Sequence, residues 1–128
     1  MPHQAHLTPS ITGVMQNDNM SLSNTSVYLD ATFHSEKCYN YDLVTKTNQD
    51  GEFNIGPVKE FRWIAFIYGD PVANWALCVD TKNGRKIVLE QGGIGMPPTE
   101  LDIKCDVSKT KIFYIEAFGT IEGNCTKR

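Results

Sequence analysis

The sequence predicts an all-β domain, a seven- to eight-stranded Greek-key β-sandwich, and three observations carry that prediction. Short segments alternate apolar and polar residues with a period of two, the pattern of half-buried strands. Turn-forming Gly, Pro and Asn residues fall between these segments. No segment of helix length carries a strong helical repeat. The chain divides into a loose lead-in over 1–10, a sandwich over 11–107 and an extension over 108–128 packed on the same domain.

The composition bounds what such a domain can do. With 128 residues, 41% hydrophobic and 21% charged, the chain is one globular unit rather than a disordered or coiled-coil segment. Its 12 basic residues are scattered against 15 acidic ones, so no stripe exists to neutralise a phosphate backbone, and nucleic acid is not an expected partner. Nothing approaches the ~20 apolar residues a membrane helix needs, so no transmembrane segment is expected.

The polar start, with His3 and His6, reads as unanchored chain. Ile11, Val14 and Met15 form a first, edge-like strand broken at Gly13, where a bulge or a close backbone approach fits. The Asn-, Asp- and Ser-rich stretch 16–24 is a turn or loop. Val27, Leu29, Ala31 and Phe33 alternate with Tyr28, Asp30 and Thr32 as a half-buried strand, and 34–40 is a loop carrying Cys38. Asp50-Gly51 stands between alternating runs (Leu43, Thr45, Thr47; Phe53, Ile55) and predicts a β-hairpin over Tyr41 to Ile55, because glycine accepts the positive φ of a tight turn. Gly56-Pro57 ends it.

Phe61 to Tyr68 is apolar on both faces; its aromatic and β-branched content favours a strand over a helix. Trp75 to Val79 alternates, Asn83-Gly84 supplies a second hairpin turn, and Lys86 to Leu89 returns. Gly92 to Pro98 reads as a flexible connector. Leu101, Ile103, Cys105 and Val107 alternate with Asp102, Lys104 and Asp106, the cleanest strand of the chain, and Ile112 to Phe118 is a last apolar strand or a short helix.

Four well-separated cysteines, Cys38, Cys78, Cys105 and Cys125, suit two disulfides in an oxidising compartment. Four buried thiols are the plainer alternative, and zinc lacks its usual ligand spacing. The disulfide reading places the protein in a periplasm or outside the cell. Met1-Pro2-His3-Gln4 shows no leader, so a leader removed from this sequence, or a cytoplasmic protein, are the two ways to account for it.

Ile11-Thr12-Gly13-Val14, Val27-Tyr28-Leu29 and Thr47-Asn48-Gln49-Asp50-Gly51-Glu52-Phe53-Asn54-Ile55-Gly56-Pro57 together resemble the transthyretin-like, carboxypeptidase-regulatory-like superfamily over residues 11–107. The resemblance implies a prealbumin-like sandwich, common among exported proteins, with small bacterial members of unassigned role as the nearest likeness; residues after about 108 have no counterpart in the minimal domain. Its hydroxyisourate hydrolase branch carries catalytic His and Arg residues and ends Tyr-Arg-Gly-Ser, whereas this chain ends Asn124-Cys125-Thr126-Lys127-Arg128. Nothing matches the binding channel of the hormone-carrying branch.

Of the three pairings four cysteines allow, parity favours one. Cys105 faces the core with Leu101 and Ile103, and a bond to Cys125 would staple the C-terminal extension onto the sandwich. Cys78 points opposite Trp75, Leu77 and Val79, and a bond to Cys38 would tie a loop to a strand.

Each chemical candidate has a plain counterpart. His3 and His6 could chelate a metal but read as solvated residues. His34, Ser35 and Glu36 invite a hydrolase triad, yet triads are assembled from distant segments. Asp18, Asp30, Asp42 and Asp50 lack the spacing of a calcium loop, and Gly92-Gly93-Ile94-Gly95 lacks the strand–helix context of a phosphate loop. Trp63 and Trp75 are core anchors, or a carbohydrate platform. Asn24-Thr25-Ser26 and Asn124-Cys125-Thr126 fit the N-glycosylation pattern. No catalytic, cofactor-binding or metal-ligating set is expected. The sequence therefore points to an exported, non-catalytic module that binds a protein or an envelope component through loops or a sheet edge; a hydrolase with a site at the loop end, using His34, is the alternative.

Overall fold

A computed structural model describes residues 3–31, 37–62, 72–94, 97–109, 112–116 and 119–128, with backbone alone at 3–6, 60–62, 72–73, 93–94, 112–116 and 119–120. These residues form β1 (His3–His6), β2 (Ser10–Asn17), β3 (Met20–Ser21), β4 (Ser26–Asp30), β5 (Leu43–Lys46), β6 (Glu52–Ile55), β7 (Lys59–Arg62), β8 (Val72–Thr81), β9 (Gly84–Ile94), β10 (Glu100–Asp106), β11 (Ile112–Glu116), β12 (Gly119–Gly123) and β13 (Cys125–Lys127). The protein is all-β, with no helix among the described residues, and therefore none there long and apolar enough to cross a membrane.

Two sheets make the layers. One runs β13-β10-β2, with β6 and β3 both on the far side of β2, so the first core strand is interior rather than the expected edge. The other runs β11-β12-β9-β8-β4-β5, and β1 pairs with β7 as a separate ribbon. β2 and β10 are parallel; the other described pairings are antiparallel. Alternation sends Ile11, Met15, Phe53, Ile55, Leu101 and Ile103 inward from the first sheet against Val27, Leu29, Trp75, Leu77, Val79 and Ile121 from the second, forming one core. At ~1.5–3 kcal/mol for each large apolar side chain fully buried, this contact is the main force holding the layers together.

Trp75 is fully buried and donates Nε1–H to Gln91 Oε1 at 2.8 Å, so it anchors the core and offers no carbohydrate platform. In the β8–β9 register, Leu77 faces Leu89 and Cys78 faces Ile87. Val88 is the extra residue of a bulge, which lets both Val88 and Leu89 enter the core while Ile87 turns outward.

Several expectations are corrected. Asp50-Gly51 is a tight turn, with Gly51 at φ +78°, but its flanks do not pair as a hairpin. After the closure at Asn48 and Glu52, β5 joins β4 in one sheet and β6 joins β2 in the other, so the turn is a corner between layers. Of the expected lead-in, the described residues 3–10 are not loose: β1 pairs with β7, Leu7 N–H bonds Val58 O at 2.7 Å, and Thr8 is fully buried. Gly92 to Ile94 belong to β9, opposite Asn74 to Val72, rather than to a connector. The segment after 108 feeds both layers, β12 beside β9 and β13 beside β10, and buries Ile121 and Cys125. Of the apolar run 61–68, only 61 and 62 are described, in β7; Trp63 lies outside the described residues.

Asp106 is buried rather than solvated. Its Oδ1 accepts from the N–H groups of Asp18 and Ser108 and from Ser108 Oγ, and its Oδ2 accepts from Asn19 N–H. It thereby holds the Asp18–Asn19 turn of β2–β3, whose two residues have φ +54° and +67°. Burial pushes the Asp106 carboxyl up, but the Ser108 hydroxyl and the three N–H groups outweigh it and hold the group well below the usual carboxylate range. Because the folded value is depressed, this stabilisation is fully present above the unfolded value near ~4 and is lost as pH falls below it. Asp106→Asn should lower stability by about 2 kcal/mol at pH 7 and flatten the acid limb of the stability profile. Urea midpoints at pH 7 and pH 3 check this; an unchanged difference between the two pH values would refute it.

Candidate functional site

The outer face of the six-stranded sheet carries the richest constellation of side chains. Cross-strand register puts Val44, Tyr28, Cys78 and Ile87 in one row across β5, β4, β8 and β9. A second row holds Asp30, Ala76, Glu90 and Glu122. The outward parity of Cys78 holds, and the structure bonds it to Cys38; Cys105 bonds to Cys125. Cys38, Cys78, Ala76 and Tyr28 form a small second cluster on this side of the sheet.

Cys38 is fastened three times. Besides the disulfide, its N–H donates to Asp30 Oδ2 at 2.6 Å and its carbonyl accepts from Arg85 Nη1 at 2.7 Å. Residue 38 takes φ +71°, which the three fastenings hold in place. Farther along, the Asp42 carboxylate accepts from Ala31 N–H at 2.8 Å, joining the residue after β4 to the residue before β5.

Arg85 lies over Tyr28, its guanidinium carbon 3.7 Å from the ring centroid and 5.7 Å from that of Tyr41. Asp80 accepts Arg85 Nε at 3.1 Å through one oxygen and the Tyr28 hydroxyl at 2.7 Å through the other. The Tyr28 and Tyr41 rings are 4.8 Å apart. Such an exposed ion pair adds at most ~1 kcal/mol to stability. Its effect is to hold the guanidinium plane in one orientation. Around it Tyr39 (76% exposed), Val44 (51%), Tyr41 (44%) and Ile87 (36%) are open to solvent.

Two shallow depressions flank Lys37. One, of about 560 Å³, is lined by Tyr39, Asp80, Thr81 and Arg85. The other, of about 430 Å³, is lined by Asn74, Glu90, Gln91 and Glu122. Partial burial pulls the Lys37 ammonium below its ordinary value, against the opposing pull of Asp30, Glu90 and Asp42. Among the described residues no cluster of three or more His, Cys, Asp or Glu could hold a metal ion. Of the four aspartates, Asp30 and Asp42 act electrostatically on Lys37, while Asp18 and Asp50 sit in separate turns. The His34, Ser35 and Glu36 group lies outside the described residues, as do the side chains of His3 and His6.

Sequence reading passed over Arg85 and Asp80, although a signal existed. The Asn83-Gly84 turn sets Thr81 opposite Gly84 and therefore Asp80 opposite Arg85. Tyr28, two residues before Asp30 on the outward side of β4, completes the group. Compared with known proteins, the chain matches no family model, no curated protein and no solved structure.

Proposed function

We propose that this chain is a non-catalytic, exported module that binds a protein partner through the outer face of its six-stranded sheet. The observation that carries the reading is the oriented Arg85 amid exposed Tyr39, Tyr41, Val44 and Ile87. Tyrosine and arginine are the side chains that dominate binding energy at protein interfaces. A guanidinium already held by Asp80, Tyr28 and the Cys38 carbonyl loses little freedom on association. The two disulfides fit an oxidising compartment, and that fit supports the reading of a periplasmic or secreted location. The fold reading belongs to the same proposal: a prealbumin-like Greek key of seven to eight strands, supported by β6-β2-β10-β13 facing β5-β4-β8-β9 and by the crossing from β5 to β6. The alternative hydrolase gains no described residue.

The test is retrieval of periplasmic or extracellular proteins on the immobilised chain, followed by affinity measurement on any retained partner. Arg85→Ala should weaken that partner by about 30-fold, the ~2 kcal/mol of a central contact. Val44→Glu and Ile87→Glu should abolish binding, while Thr12→Glu on the other sheet should leave it intact. A partner indifferent to all three face variants would overturn the assignment.

A further inference from the structure

Three Asn-x-Ser/Thr triplets occur in this chain, at Asn19, Asn24 and Asn124, and the fold separates the last from the other two, which lie in exposed turns. Asn124 is 9% exposed and donates its side-chain Nδ2–H to the Lys109 carbonyl. Its own backbone is spent on Val88 O and Asp106 N–H, and its neighbour Cys125 is bonded to Cys105 in the core. A sugar on that nitrogen would have to occupy filled space. Asn24 is the opposite case. It is exposed in the turn between β3 and β4, at φ +50°, a region that asparagine tolerates better than most residues. Its backbone N–H bonds Thr47 O at 3.1 Å, which fixes the turn, whereas among the described residues none accepts from its side-chain amide. Ser26 opens β4 two residues later and is half-buried.

We propose that Asn24 is an N-glycosylation site and that Asn124 is not. The donor class is an oligosaccharide carried on a lipid diphosphate in a secretory lumen, an oxidising compartment that the disulfides also fit. The Asn24 amide nitrogen forms a bond to the anomeric carbon, the carbon–oxygen bond to the diphosphate breaks with its electrons leaving on the lipid diphosphate, and the amide releases one proton. The glycan then stands at the Ser26–Lys46 end of the β4–β5 pair. This inference takes the secreted branch of the location proposed above and is independent of the partner-binding face.

The chain carrying Ser21→Ala, which removes the Asn19 triplet, is to be secreted from eukaryotic cells and treated with peptide N-glycosidase. One glycosidase-sensitive step in mobility is expected, lost in Asn24→Gln and again in Ser26→Ala, which removes the motif without altering the turn asparagine. Asn124→Gln and Thr126→Ala should keep the step. In the Ser21→Ala background, a chain with no sensitive step, or a step that survives Ser26→Ala, overturns the proposal. Partner binding by the outer face is read separately and moves neither outcome.

Discussion

Gly13→Ala is expected to lower stability by about 3 kcal/mol, a substantial part of the ~5–15 kcal/mol that holds a domain of this size together. Gly13 lies in the middle of β2, between β10 and β6, with Ile103 as its partner on one side and Phe53 on the other. A Cβ there would point inward with Ile11 and Met15 and overlap the Ile103 carbonyl oxygen. The obstacle is backbone in a paired strand, so it cannot rotate aside as a side-chain end would. Thermal unfolding followed by circular dichroism should show a midpoint lowered by roughly 10 °C or more, against almost no change for exposed Thr12→Ala. Equal midpoints for the two variants would mean that β2 and β10 separate easily and that the close approach is unimportant.

Removing the Cys38–Cys78 bond should have the second large effect, on stability and binding together. The bond closes a separation of 40 residues, worth about 4 kcal/mol in the chain-entropy account, while the 20-residue separation of Cys105–Cys125 is worth about 3 kcal/mol. Both double-alanine variants should therefore lower the urea midpoint. They should part on affinity. Without its bond to Cys78, Cys38 loses the fastening that presents its carbonyl to Arg85, and the loop bearing Tyr39 and Tyr41 is freed. Cys38→Ala/Cys78→Ala should cost about tenfold in partner affinity at a temperature where the chain remains folded, and Cys105→Ala/Cys125→Ala should cost none, because that bond lies in the core of the other sheet. Equal affinities for the two variants would detach the loop from the binding face.

Much of the fold was legible because strands announce themselves locally. The inward alternation of Leu101, Ile103 and Cys105 was readable from period alone, and it is the buried set observed in β10. The Asn83-Gly84 hairpin held for the same reason: Thr81 pairs with Gly84, and turn chemistry sets that register. The close approach at Gly13 was also visible, since a glycine inside a strand has few other uses. Asp106 was misread because alternation assigns a face without counting backbone donors. Its partners Asp18 and Asn19 are 88 and 87 residues away.

By itself, then, the chain's sequence determined the all-β class, the main turns, the inward faces and the cysteine pairing that parity favoured. Each of these depends on neighbours within a few residues or on the strict two-residue period of a strand. Tertiary structure alone decided which sheet each strand joins, so that Asp50-Gly51 became a corner between layers rather than a hairpin. It alone set the asparagine motif at 124 apart from the one at 24 and gathered Tyr28, Tyr41, Asp80 and Arg85 onto one face. The physical reason is common to all three: strand pairing and burial are contacts between distant segments, and a local pattern states which face a residue takes without stating what it meets there.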